Sequence, residues 1–111
     1  MQIMQVHFIE IQGFSNDFPY TIEEVHEFND CIQDNNVVII NYHSWATVAI
    51  RKTGKSMAEF SISIRRPGDI ANTNIGAAHA MQRMITGQCL PCFLWSVHPA
   101  EVAIKIAEAL I

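Results

Sequence analysis

The sequence predicts an α+β fold: a two-layer sandwich of a mixed or antiparallel five-stranded sheet with helices packed on it, in the order βαβββαβα. Three observations carry this expectation. The run Val37-Val38-Ile39-Ile40 is wholly β-branched, as in a strand buried on both faces. The stretch from Met57 to Arg65 alternates strictly, with Ala58, Phe60, Ile62 and Ile64 on one side and Glu59, Ser61, Ser63 and Arg65 on the other. Three further segments repeat apolar residues at helical spacing behind recognisable start signals.

Taken in order, residues 2–11 read as a strand, with Met4, Val6 and Phe8 on one side and Ile3, Ile9 and Ile11 on the other. A loop over 13–19 follows, pinned by Phe14 and Phe18. Thr21 and Glu24 form a capping-box pattern at the start of a helix ending near Gln33, with a turn at Asp34-Asn35-Asn36. After the β-branched strand, a bend near His43-Ser44 leads into a strand from Trp45 to Arg51. With Thr53-Gly54 as a two-residue loop, Lys52 would face Lys55 and Trp45 would face Ile62 across a half-solvated hairpin. Arg66-Pro67-Gly68-Asp69 closes that hairpin. The second helix starts at Asp69 or near Asn72-Thr73 and stops at Gly87, and its small residues Gly76, Ala77, Ala78 and Ala80 suit close packing on the sheet. A strand over 90–97 and a helix opening at Pro99 complete the chain.

The 111 residues suffice for one core and one domain spanning 1–111, and 50% hydrophobic against 16% charged residues excludes a disordered tail-like chain. No apolar run is long enough to span a bilayer, and the basic and apolar blocks of a signal peptide are missing. Three cysteines make no disulfide framework, so a reducing, cytoplasmic setting is expected. The net charge of −4 disfavours generic nucleic-acid binding. The charges are segregated: seven of eleven acids lie in the first 34 residues, and five of seven basic residues lie between 51 and 66. The expectation is one acidic helix surface and one basic hairpin end.

The compact constellation with chemical potential is Cys89-Leu90-Pro91-Cys92. A CxxC lets one thiolate attack and the other resolve, where one thiol is acidified by a helix N-terminus or a nearby cation. The pair resembles the redox pair of the thioredoxin family over these four residues, which implies a thiol oxidoreductase. It departs where that family opens a helix and this chain continues as Phe93-Leu94-Trp95-Ser96-Val97. Cys89 and Cys92 also have ligand spacing, and His79 and His98 are the nearest imidazoles for a tetrahedral zinc. His79-Ala80 with Pro91-Cys92 resembles part of the zinc-dependent cytidine deaminase pattern, but Met81 stands where that family has its proton-shuttling glutamate and Trp95 where it has its second cysteine. Thr53-Gly54-Lys55-Ser56 echoes the end of a phosphate-binding loop, yet lies between two strands and reads as a hairpin turn.

The leading expectation is a small soluble macromolecule-binding protein of inhibitor, immunity, chaperone-like or adaptor type, without catalytic activity and without a cofactor. Its contact surfaces would be Glu23, Glu24, Glu27 and Asp30, facing a protein partner, and an over-apolar C-terminal helix able to join two copies as a homodimer. The alternatives are a thiol oxidoreductase or zinc-binding protein centred on Cys89 and Cys92, and a nucleic-acid-binding protein using Arg51, Lys52, Lys55, Arg65 and Arg66. No membrane partner is expected.

Overall fold

The computed structural model of the chain describes residues 6–7, 10–13, 17–43, 45–66, 68 and 72–110. Four full strands form an antiparallel sheet: β2 (Val38–Tyr42), β3 (Ala46–Lys52), β4 (Met57–Ile64) and β5 (Leu90–Phe93). A two-residue segment, β1 (Val6–His7), pairs antiparallel with Ile39-Ile40 at the β2 edge. Most of the first strand expected over 2–11, and Phe14 of the following loop, lie outside the described residues. Three helices complete the fold: α1 (Ile22–Asp34), α2 (Thr73–Ile85) and α3 (Pro99–Ala109). Among the described residues no helix is long and apolar enough to cross a membrane.

The helix ends follow their sequence signals. Thr21 caps α1 with a full capping box: the Glu24 amide donates to Thr21 Oγ1 at 3.1 Å, and the Thr21 amide donates to Glu24 Oε1 at 3.0 Å. Asn72 caps α2 by accepting from the amides of Asn74 and Ile75 at 3.0 and 3.2 Å. Gly87, two residues past α2, takes φ +83°, a left-handed conformation that glycine adopts without a Cβ clash. Pro99 opens α3, where a missing amide hydrogen costs nothing. Both turns flanking β2 use positive φ, at Asn36 (50°) and His43 (49°).

The strands divide the core by parity. Ile39 and Ala49, paired across β2 and β3, join Val25, Phe28 and Ile32 of α1 and Ala77, Ala78, Ala80, Met81 and Met84 of α2 in one cluster. Ile40 and Val48, the next pair along, join Ile50, Ala58 and Val102, Ala103, Ile104 and Ala107 of α3 in a second cluster. Successive residues of a strand point to opposite faces, so the sheet is clad on both sides. The architecture therefore has helices on either face, not the two layers that the sequence suggested.

Two further expectations change with it. The β3–β4 register pairs Ala46 with Ile64, Val48 with Ile62 and Lys52 with Ala58, so Trp45 does not face Ile62 and Lys52 does not face Lys55. The connection is four residues long, with the amides of Thr53 and Gly54 both donating to the Met57 carbonyl. This register sets Val48 and Ile50 opposite Ile62 and Phe60, joining two apolar rows that the shorter loop would have separated. The polar side of β4 is also not solvated. Ser61 and Ser63 are 2% and 6% exposed beneath α2, and Ser61 Oγ donates to the Ala80 carbonyl at 2.6 Å. Thr47 Oγ1, likewise buried, donates to Asn41 Oδ1 at 3.0 Å. The Ser61 and Thr47 hydroxyls thus each have an acceptor, which removes the main cost of burying them.

Small residues bring α2 close enough to do this. A Cβ added at Gly76 would lie 2.5 Å from Thr47 Oγ1. The Gly76→Ala substitution should gain about 1 kcal/mol in helix propensity but lose about 1–3 kcal/mol to overpacking, because the β-branched Thr47 side chain is stiff. A net loss of stability is expected by urea denaturation, and Thr47→Ala in the same chain should recover part of it. Equal losses in both backgrounds would contradict the close approach.

Candidate functional site

The Cys89–Cys92 segment stands at the sheet edge. Residues three apart in a strand point to opposite faces, and the two sulfurs obey this. Cys92, paired with Ala58, packs against the cluster beneath α3. The Cys89 thiol lies near Glu59, on the other face, where Glu59 forms a cross-strand ion pair with Arg51. Burial first, then the Glu59 carboxylate as acceptor and as charge, push the Cys89 thiol up, against a smaller opposing effect of Arg51; burial alone pushes Cys92 up. All three cysteines are free thiols. An attacking thiol needs the opposite shift and a resolving thiol on the same side.

The proposed zinc ligands are also dispersed. His79 lies on α2, where its Nδ1 is 2.7 Å from the Tyr20 hydroxyl and its ring meets that of Tyr20 edge-on. His98 is exposed at the N-cap of α3. Among the described residues no group of three or more His, Cys, Asp or Glu side chains could hold a metal ion.

The five basic residues do not form one surface. Arg51 is spent on Glu59, and Lys52 and Lys55 flank the β3–β4 turn. Arg65 and Arg66 follow the far end of β4, and at roughly 3.4 Å per residue its eight residues separate the two groups by about 24 Å. The expected basic hairpin end is thus two smaller groups at opposite ends of the sheet. The acidic set is divided too. Glu23, Glu27 and Asp30 are exposed on α1, whereas Glu24 is half-buried with its carboxylate committed to the capping box.

Two features emerge that the sequence reading did not single out. The first is an apolar row at the β5 edge. Phe93, Trp95 and Val97 are 70%, 58% and 87% exposed, while Leu94 and Ser96 between them are half-buried; Leu90, 62% exposed, lies on the opposite face of β5 from Phe93. Their backbone is held: the Leu94 amide donates to the Ser56 carbonyl at 2.8 Å, and Ser96 Oγ bridges the His98 amide and Glu101 Oε2. The Leu94–Ser56 bond also fixes which residues of β5 bond inward. Pro91 and Phe93 turn their backbone groups away from β4, so proline, with no N–H, sits where the ladder has no partner. Alternating exposure was the available signal, hidden because every second residue from 93 to 97 is apolar and Leu94 is too.

The second is a cleft of about 680 Å³ between the far end of β4 and one face of α2, closed on the third side by Asp17 and Pro19. Ser63, Arg65 and Arg66 contribute from β4 and beyond, and Asn72, His79 and Arg83 from α2. Positions 72, 76, 79 and 83 recur at helical spacing, which explains how one helix face lines it. Arg83 Nη1 donates to the Ile62 carbonyl, fixing the guanidinium at the wall. No local signal links 63–66 with 72–83, because the chain excursion between β4 and α2 brings them together.

No family model, no curated protein and no solved structure matches this chain.

At pH 8, iodoacetamide should alkylate Cys89 and Cys92 more slowly than free cysteine, with rates rising as pH climbs past the ordinary thiol range. Glu59→Ala removes both the acceptor and its charge, so the upward push on the Cys89 thiol should weaken and its rate rise several-fold, leaving Cys92 unchanged. Peptide mass spectrometry measures both. An unchanged Cys89 rate, or both thiols faster than free cysteine, would contradict the assignment.

Proposed function

We propose that this chain is a protein-binding domain whose contact surface is the β5 edge and the segment running from it into α3. The observation that carries the reading is the set Phe93, Trp95 and Val97, large apolar side chains exposed at every second residue on a hydrogen-bonded backbone, with exposed Leu90 on the opposite face of the same edge. Covering a few hundred Å² of such surface yields several kcal/mol at roughly 25 cal/mol per Å², enough to offset a useful part of the cost of association. Aromatic anchors held by a fixed backbone lose little conformational freedom on binding, which favours them as contact centres.

The manner of contact follows from Pro91. Strand addition along β5 would meet a position with no donor, so the partner is held by side chains laid against the row and not by an extended ladder. Inhibitor, immunity, chaperone-like and adaptor roles all share this requirement. Exposed Glu23, Glu27 and Asp30 on α1 are a second, electrostatic surface suited to a basic partner.

A homodimer through α3 has less to build on than contact at the β5 edge. Val102, Ala103, Ile104 and Ala107 are buried against the sheet and Ala100 and Ile106 pack beside them, while Leu110, just past the helix, is 52% exposed. Three free cysteines suit a reducing compartment, which supports a cytoplasmic setting.

Photo-crosslinking in the organism of origin tests the reading. A benzophenone side chain at position 95 should give adducts with one or a few defined proteins, lost on Phe93→Asp, while the same probe at position 105 on α3 gives none. Adducts from position 105 or from position 27 on α1, with none from 95, would overturn it.

A further inference from the structure

The β5 edge also indicates which protein it meets, an inference that rests on the reading of that edge as a protein contact. We infer that the partner is a second copy of this chain, joined edge to edge about a two-fold axis at Phe93. The backbone singles out this position. Leu90 and Cys92 bond inward to β4 and Pro91 has no amide hydrogen, so Phe93 is the one residue of β5 that turns both a donor and an acceptor outward. Residues facing each other in a hydrogen-bonded antiparallel pair exchange one bond in each direction. A two-fold axis beside Phe93 therefore mates each copy's single outward donor and acceptor, without the extended ladder that Pro91 denies.

The same axis orders the side chains. Pro91 and Trp95 lie two residues to either side of Phe93 and on its face of the edge, so each Trp95 comes opposite the Pro91 of the second copy. The two Phe93 side chains meet at the centre, with exposed Met57 beside each on β4. Area is sufficient. Met57, Phe93, Trp95 and Val97 together expose roughly 500 Å² per copy, so covering them on both copies removes about 1,000 Å², the lower bound for a specific interface. Backbone and Leu90 add to this.

Nothing opposes the approach. Residues 90–97 carry no formal charge, so the row meets its own copy without like-charge repulsion. Lys55, next to Ser56 at the end of β4, would stand roughly 20 Å from its counterpart, beyond the screening length. The α2 helix rests on β3 and β4 and α3 on β2 and β3, so both stand back from this edge. A two-fold pairing also uses up the β5 edge on each copy, which closes the assembly at two chains.

Sedimentation equilibrium on the purified full chain tests the inference. The chain should pass from monomer to dimer as concentration rises to about 0.5 mM, with a dissociation constant in the micromolar range. Phe93→Asp sets two carboxylates face to face and should leave only monomer, with far-UV circular dichroism matching the parent chain. Trp95→Ala should weaken the dimer by about tenfold or more. Leu110→Asp, at the exposed end of α3, should leave it unchanged. A benzophenone at position 95 of the purified chain should crosslink to the second copy within residues 90–92. A chain that is monomeric throughout, a Phe93→Asp variant that still dimerises, or a dimer abolished by Leu110→Asp overturns the inference. If the chain is monomeric but the probe at position 95 captures a different protein in the organism of origin, the second copy is excluded while the β5 edge stands as a contact surface. If it captures nothing, both readings fall.

Discussion

The seating of α2 on the hydroxyl-bearing side of β3 and β4 is the constraint on which the rest depends. A strand side bearing Thr47, Ser61 and Ser63 would ordinarily face water. Here Gly76, Ala77, Ala78 and Ala80 let the helix backbone come near enough for Ser61 to reach a helix carbonyl. One hydroxyl meets an otherwise bonded carbonyl, another meets Asn41, and the interface closes without an orphaned polar atom among the described residues. From this seating follow the outward turn of His79 and Arg83 and the cleft they help to line.

Covering both faces of the sheet also explains where the apolar excess of the sequence goes. With α1 and α2 over one face and α3 over the other, Ile39 and Ile40 are both fully buried although they point in opposite directions. The short edge strand β5 lies outside this cladding. Cys92 and, just beyond the strand, Leu94 complete the α3 side, whereas Phe93 on the other side is 70% exposed. The cysteine spacing obeys the same parity. Three residues apart on a helix would bring two thiols together; on a strand it divides them between the faces, which turns a redox-like pair into two separately packed side chains.

The legible parts of the fold were those set by local rules. The capping box at Thr21, the cap at Asn72, Pro99 at the start of α3 and the left-handed Gly87 each depend on residues within one turn, and each appears where the sequence places it. The alternation of β4 was legible as well, but not what lies against it. Serine on one side of a strand reads as solvent-facing because a single sequence cannot disclose that a helix of small residues will dock there. The β3–β4 register was lost for a related reason: a Thr-Gly turn fits two residues, and the choice of four is made by Val48 and Ile50 finding Ile62 and Phe60 across the hairpin. The cleft was the least legible feature, since Ser63, Arg66, His79 and Arg83 converge only once the sheet and α2 are assembled. Composition, too, misplaced its basic end, because residues 51–66 run out along one strand and back along the next.

The urea midpoint of the Ser61→Val variant tests the seating of α2 most directly. On a half-solvated strand, valine is the better β-former and would hold or raise stability by a few tenths of a kcal/mol. Beneath α2 it loses the bond to the Ala80 carbonyl and adds methyl volume where the helix backbone already makes contact, so stability should fall by about 2 kcal/mol. An unchanged or higher midpoint would mean that α2 does not rest on Ser61, and the account of the sheet would fail with it.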